Sequence, residues 1–295
     1  MEVEGGNIVW FTYTGTEDIP DDVRERITHL VLDIEAVPAD SFRDYNGDGG
    51  ELPNLLEVIC RDVVKKIGKW AFADCQKLRR VIMPGVEVVE ECAFSYCEDL
   101  EYVECDQLKI IRTNAFQYTP LRSISLPSAE IFEGGAFMGC VVLERVTVPL
   151  AGNLIVADDT FRGCKRLKYA SFADGVLLRQ IQHLQLKKWR DSMNEQILSI
   201  DQILATTTAG YTEEQEELQN TMEAYVNVNR RLEPDRDEAY HVGGKARAIQ
   251  RWIKSVIFML DHYKAEHQRY LNVVATSLEP LPREIVMNNM LPFLD

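Results

Sequence analysis

The string Asp44-Tyr-Asn46-Gly-Asp48-Gly49 is the stretch of this 295-residue chain best suited to holding a cation. It sets oxygen ligands at positions 1, 3 and 5 and glycine at 6, like the first half of an EF-hand calcium loop. Position 12, where a bidentate glutamate belongs, is Leu55, and Pro53 opposes an exit helix. Asn-Gly and Asp-Gly pairs also suit a tight surface turn, because glycine accepts positive φ. Asp44, Asn46 and Asp48 are thus a calcium candidate set against a solvated insertion. Cys75, Cys97, Cys140 and Cys164 recur at multiples of roughly 22 residues, whereas zinc asks for Cys pairs two to four residues apart on one loop. Buried packing suits them better, since free cysteine behaves as a small hydrophobe. His262 and His267 are five apart and share no helical face. Gly243-Gly244-Lys245 lacks the upstream glycine and the following Ser or Thr of a phosphate-binding loop. The expectation is a non-enzyme with no cofactor and no catalytic residue.

What positions these residues is a repeat. Phe72, Phe94, Phe116, Phe137 and Phe161 are spaced 22, 22, 21 and 24 residues apart. Each stands in the same frame, for which Ile67, Ala71-Phe72, Cys75, Leu78, Val81 and Met83-Pro84 serve as the model. Self-similarity at about 20 to 29 residues marks a leucine-rich-repeat solenoid, whose units bury their apolar side against their neighbours. The last positions of each unit alternate as a half-buried strand does, and Pro84, Pro127 and Pro149 close strands where a missing donor does least harm. Ile27, Leu30, Leu32, Val37 and Phe42 fit an earlier unit, and Leu55, Val58 and Cys60 another after the insertion. One unit is short: Thr119-Pro120 replaces the Cys-bearing turn with one residue fewer.

The unit Ile/Val-x3-Ala-Phe-x2-Cys-x2-Leu-x2-Val-x-Leu-Pro resembles the BspA-type leucine-rich repeat over roughly residues 27–173. That class is found on bacterial surfaces and widely in microbial eukaryotes. The resemblance implies adhesion or protein recognition and brings no catalytic residues. The helical tail is similar to tails of diatom proteins of this repeat class. The fold class expected is α/β: a short right-handed leucine-rich-repeat solenoid followed by an all-α, coiled-coil-like helical hairpin. The parts are an N-terminal cap over 1–26, repeats over 27–173, and a helical hairpin over 174–295 with a polar linker around 209–240. One apolar stripe runs from Ile181 through Trp189, Met193 and Ile200 to Leu204; the second runs from Ile249 through Trp252, Val256 and Tyr263 to Val274. Spacings of three and four residues make both stripes helical. Whether the tail caps the solenoid or stands alone is open at this level.

Stacked strands set outward residues in ladders about 4.8 Å apart. Two ladders form the expected partner-binding face, carrying Glu57, Arg80, Tyr102, Arg145 and Tyr169 in one and Ile59, Ile82 and Glu104 in the other. Tyr and Arg among aliphatics is the composition of an interface core. The net charge of −15 opposes nucleic acid or an anionic membrane as partner. Through Ala173 the chain has 29 acidic and 18 basic residues, net −11, so a partner protein with a basic surface is expected. The second stripe offers a homodimer through the C-terminal helices as an alternative. No apolar run is long enough to span a membrane. The residues after Met1 lack a secretory pattern, and seven cysteines is an odd number; both favour a cytoplasmic, intracellular protein. Alternatives to a protein-interaction scaffold are a cell-surface adhesin and a regulator acting through its C-terminal helices.

Overall fold

The computed structural model describes residues 8–15, 19–43, 52–173, 187–207 and 244–277. The repeats coil into a solenoid whose strands pair in parallel throughout. Front strands are β1 (Trp10–Tyr13), β2 (His29–Leu32), β4 (Glu57–Cys60), β6 (Arg80–Ile82), β8 (Tyr102–Glu104), β10 (Ser123–Ser125), β12 (Arg145–Val148) and β14 (Tyr169–Phe172). Rear strands are two residues long: β3 (Ala36–Val37), β5 (Lys66–Ile67), β7 (Val88–Val89), β9 (Ile110–Ile111), β11 (Ile131–Phe132) and β13 (Ile155–Val156). A short helix, α1 (Asp21–Arg24), joins β1 to β2. The segment expected to act as a cap therefore also supplies a strand, with Trp10 opposite His29 and Phe11 opposite Leu30.

Between front and rear, the phenylalanines form a continuous column. Rings of Phe42, Phe72, Phe94, Phe116, Phe137 and Phe161 stack in turn at 5.1, 5.3, 5.3, 5.5 and 5.7 Å. The Phe72 and Phe94 planes are 2° apart. Parallel coils of similar length leave each ring directly over the last. Tight turns flank the column, with left-handed backbone two residues before and two after many of the phenylalanines: Trp70 and Asp74, Cys92 and Tyr96, Asn114 and Tyr118, Gly135 and Gly139. Gly139 is required twice over, because its φ is +73° and a Cβ there would lie 2.4 Å from the Tyr118 ring. Tyr118 in turn stacks on Tyr96 at 5.0 Å.

The cysteine ladder has a bonding role beyond packing. Thiols of Cys75, Cys97, Cys140 and Cys164 donate to the carbonyls of Phe42, Phe72, Phe116 and Phe137, one coil back, at 3.1–3.2 Å. A small side chain with one weak donor satisfies a buried carbonyl that valine would leave bare.

At the short unit the front sheet breaks. It divides into five strands, β1-β2-β4-β6-β8, and three, β10-β12-β14, while the rear sheet runs unbroken through six. Leu121 follows its phenylalanine by five residues, where Leu78, Leu100, Leu143 and Leu167 follow theirs by six. Pro120 also brings no N–H to the turn. At the break, Cys105 Sγ reaches Ser125 O at 3.5 Å.

Two antiparallel helices, α2 (Lys187–Thr207) and α3 (Gly244–Ser277), lie against the last coil. Trp189 stacks on Tyr263 at 5.5 Å, and Trp252 Nε1 donates to Gln196 O at 3.0 Å. Met193, Ile200 and Leu204 are buried with Ile249, Ile253, Val256 and Leu260. The second stripe stops earlier than its spacing predicts, since Tyr270 is exposed; α2 begins opposite Tyr263 and, among the described residues, no element flanks the last turns of α3. Among the described residues the contacts between the two helices end near Tyr263 and His267.

Helix α3 seals the solenoid. Trp252 stacks on Phe172 at 4.1 Å. Gln250 Nε2 donates to Val156 O at 3.0 Å. In earlier coils the equivalent carbonyls, those of Ile67, Val89, Ile111 and Phe132, receive the backbone N–H of the following coil. Gln250 takes the place that a following coil's backbone donor holds in the earlier turns. Lys245 Nζ donates to Cys164 O and Leu167 O at 2.5 and 2.9 Å, and burial pushes its pKa down to about 8. Arg247 pairs with Asp158.

Candidate partner-binding face

The front strands set their outward residues in two rows. One is Trp10, His29, Glu57, Arg80, Tyr102 and, past the break, Ser123, Arg145, Tyr169; the other includes Val31, Ile59, Ile82, Glu104 and then Ser125, Thr147, Ser171. Inward residues between them, among them Val58, Val81, Val103, Ile124 and Val146, are buried. That alternation fixes the register, because a one-residue slip would turn every apolar residue to water.

Along the first row each side chain is held by the next. The Trp10 and His29 rings lie 4.4 Å apart. Glu57 sits between His29 Nε2 and Arg80 Nε, each at 3.4 Å. The Arg80 guanidinium lies 4.9 Å over the Tyr102 ring, whose hydroxyl donates to Glu104 Oε2 at 3.3 Å. Past the break, Arg145 repeats the arrangement 4.8 Å over Tyr169. Each such cation–ring contact contributes about 0.5–1 kcal/mol at an exposed site. Their larger effect is to hold long side chains flat, which lowers the entropy cost of ordering them on contact with another surface.

All eight residues expected on this face stand on it, but they are unequally open. Arg80, Tyr102, Arg145 and Tyr169 are exposed, whereas Glu57, Ile59, Ile82 and Glu104 are half-buried. Trp10 is 55% exposed and heads the row, ahead of the first unit that the repeat frame marks. Its signal was present, since Phe11 and Tyr13 repeat the inward alternation of Leu30 and Leu32 nineteen residues ahead of them. The rear sheet is occupied differently: Lys66 pairs with Glu90, and Arg112 with Glu133, across successive coils. Its charges are largely spent on each other.

The calcium candidate Asp44, Asn46 and Asp48 lies outside the described residues, as does the polar linker. Among the described residues, no three His, Cys, Asp or Glu side chains cluster to hold a metal. His267 meets the edge of Trp189 at 6.2 Å instead. All seven cysteines are free and buried. Burial pushes the thiols of Cys60 and Cys105 up to about 12 and that of Cys92 to about 11, which makes them poor nucleophiles.

Residues 51–176 match the family described as BspA type leucine rich repeat region, in six copies. No curated protein matches the sequence. Similar solved structures include a leucine-rich repeat protein from Bacteroides ovatus, 25% identical with a TM-score of 0.39, covering 47% of this chain and 35% of its own. A leucine rich repeat protein of T. pallidum is 25% identical with a TM-score of 0.41, covering 54% and 84%. A leucine rich cell surface protein from Faecalibacterium prausnitzii is 18% identical with a TM-score of 0.33, covering 50% and 33%. This chain thus spans about a third of the Bacteroides and Faecalibacterium chains. None of these three bacterial proteins bears on the likeness of the tail to diatom proteins.

The expected cytoplasmic, intracellular location is corrected by the family comparison, in which the BspA type repeat is matched. The physical basis for that expectation also fails. Thiols buried this deeply are protected in an oxidising compartment as well as in a reducing one, so an odd cysteine count does not report location. Among the described residues, no helix is long and apolar enough to cross a membrane. The parallel coils and the phenylalanine column agree with the match of residues 51–176 to the BspA type leucine rich repeat region.

Proposed function

We propose that this protein is a non-enzymatic protein–protein interaction scaffold whose front face, between Trp10 and Tyr169, receives a partner. The observation that carries this reading is the row of half-open aromatic rings bracketed by arginines already held flat against them. Tyr, Trp and Arg dominate the energetics of protein interfaces because they bury much surface for few rotatable bonds. The excess of acidic residues through Ala173 favours a partner with a basic surface. Nucleic acid and membrane insertion are not part of this reading.

Residues 1–26, 27–173 and 174–295 act as an N-terminal cap, a repeat body and a helical tail for docking or self-association. Lys245, Gln250 and Trp252 are committed to sealing the last coil, which argues against an active centre built from them. The test is capture from native lysate by the full chain and by a Tyr102→Ala, Arg145→Ala, Tyr169→Ala variant with an unchanged melting curve. A protein retained by the first and lost by the second supports the face as the binding surface. Identical captured sets refute it.

A further inference from the structure

We propose that the outward side of α3 is a second docking surface, selective for an acidic protein segment that also carries apolar residues. Along α3, Arg247, Arg251, Lys254, Phe258, His262 and Arg269 fall within about 40° of one line at 100° per residue. That line is opposite the seam of Ile249, Val256 and Leu260, which is buried. No carboxylate lies within the strip; Asp261 and Glu266 are on its flanks. The helix as a whole carries six Lys and Arg against two Asp and Glu, net +4, in a chain of net −15.

At the centre of the strip Phe258 is 73% exposed. An isolated exposed apolar residue needs no explanation. A phenylalanine flanked one turn on either side by Lys254 and His262, with Arg251 beyond, is a different object: an apolar anchor ringed by cations. Arg247 at one end is tied to Asp158 and Arg269 at the other to Glu266, so the strip is pinned at both ends and, among the described residues, open in the middle. Charge complementarity selects an acidic partner, and the ring asks for an aliphatic or aromatic residue on it. Between Arg251 and His262 the strip faces neither α2 nor the last coil, so among the described residues it is available without undoing the seal made by Lys245, Gln250 and Trp252. It is separate from the front face, and either surface can fail a test alone.

The full chain is titrated into a fluorescein-labelled 20-residue peptide of Glu, Ala and Leu, with the Leu at helical i, i+3 and i+4 spacing, and anisotropy is followed. Saturable binding is expected. Arg251→Glu with Lys254→Glu weakens it at least ten-fold, Phe258→Ser several-fold, and Tyr102→Ala not at all. The affinity falls between 0.05 and 0.5 M salt, as the screening length shortens from above 10 Å to below 8 Å. Arg251→Gln with Lys254→Gln repeats the test without charge reversal, should the first pair disturb the helix. No saturable binding, or equal binding by the charge variants, overturns the proposal. So does peptide binding lost in Tyr102→Ala, or binding of phosphatidylserine vesicles or single-stranded DNA in place of the peptide.

Discussion

Phe94 sits at the middle of the aromatic column, 5.3 Å from Phe72 on one side and from Phe116 on the other, and is fully buried. Replacing it by Ala removes the ring from two interfaces at once. Phe→Ala in a core costs about 3–5 kcal/mol, and each aromatic pair adds about 0.5–1.5 kcal/mol beyond burial, so the loss falls at the upper end, about 5 kcal/mol. Phe161 differs. It stacks on Phe137 at 5.7 Å, meets Phe132 edge-on, and among the described residues has no successor ring beyond it. Phe161→Ala is therefore the milder change, about 3 kcal/mol. The assay is urea unfolding followed by far-ultraviolet circular dichroism, with Phe94→Leu as a measurable intermediate if Phe94→Ala cannot fold. A loss below about 1.5 kcal/mol at Phe94, or a larger loss at Phe161 than at Phe94, refutes a core built from stacked nearest neighbours.

Three further outcomes are expected. Gly139→Ala destabilises through its left-handed φ and through the Tyr118 ring 2.4 Å from the new Cβ; adding Tyr118→Ala restores the steric part and leaves about 1 kcal/mol of backbone strain, as paired thermal melts will show. Native protein at pH 8 leaves all seven thiols unreacted with Ellman's reagent, and guanidinium releases all seven, because every one is buried out of the reagent's reach. Lys245 has a folded-state pKa depressed to about 8 from 10.5, so between those values the unfolded chain binds the extra proton and the folded state gains stability as pH rises. The cysteines act oppositely above pH 9, where the unfolded chain ionises first. The stability difference between wild type and Lys245→Met cancels them. It should move in favour of wild type from pH 7.5 to 10, and a difference that is flat with pH refutes the assignment.

Much of the solenoid was legible because its units are nearly identical in length, so period, register and inward side follow from Phe72, Leu78 and Val81 alone. The front rows were legible for the same reason: strand alternation turns Arg80 and Tyr102 outward once Val81 and Val103 are placed inside. What spacing could not give was how open each position is. Glu57 is half-covered because His29 and Arg80 close over it from neighbouring coils, a cross-coil effect with no local signal. Trp10 escaped because its unit adds no phenylalanine to the stacked column, which begins at Phe42. The sealing of the last coil was also hidden: Gln250 replaces a backbone donor with a side chain, and no sequence rule distinguishes that glutamine from one facing water. Cysteine number does not report compartment, because burial decides whether a thiol reacts.

The single missing residue near Pro120 gives the molecule a crease. Along the back, six strands stay laced together; along the front, the lacing is undone at one rung. Such a body bends most easily about that line, with the continuous back serving as the spine of a half-open book. Tyr102 and Tyr169 then lie on facing pages, and a partner touching both senses the opening angle between them. Restoring one residue between Tyr118 and Thr119 would let the front rungs join into one stiff leaf, fixing the book at a single angle.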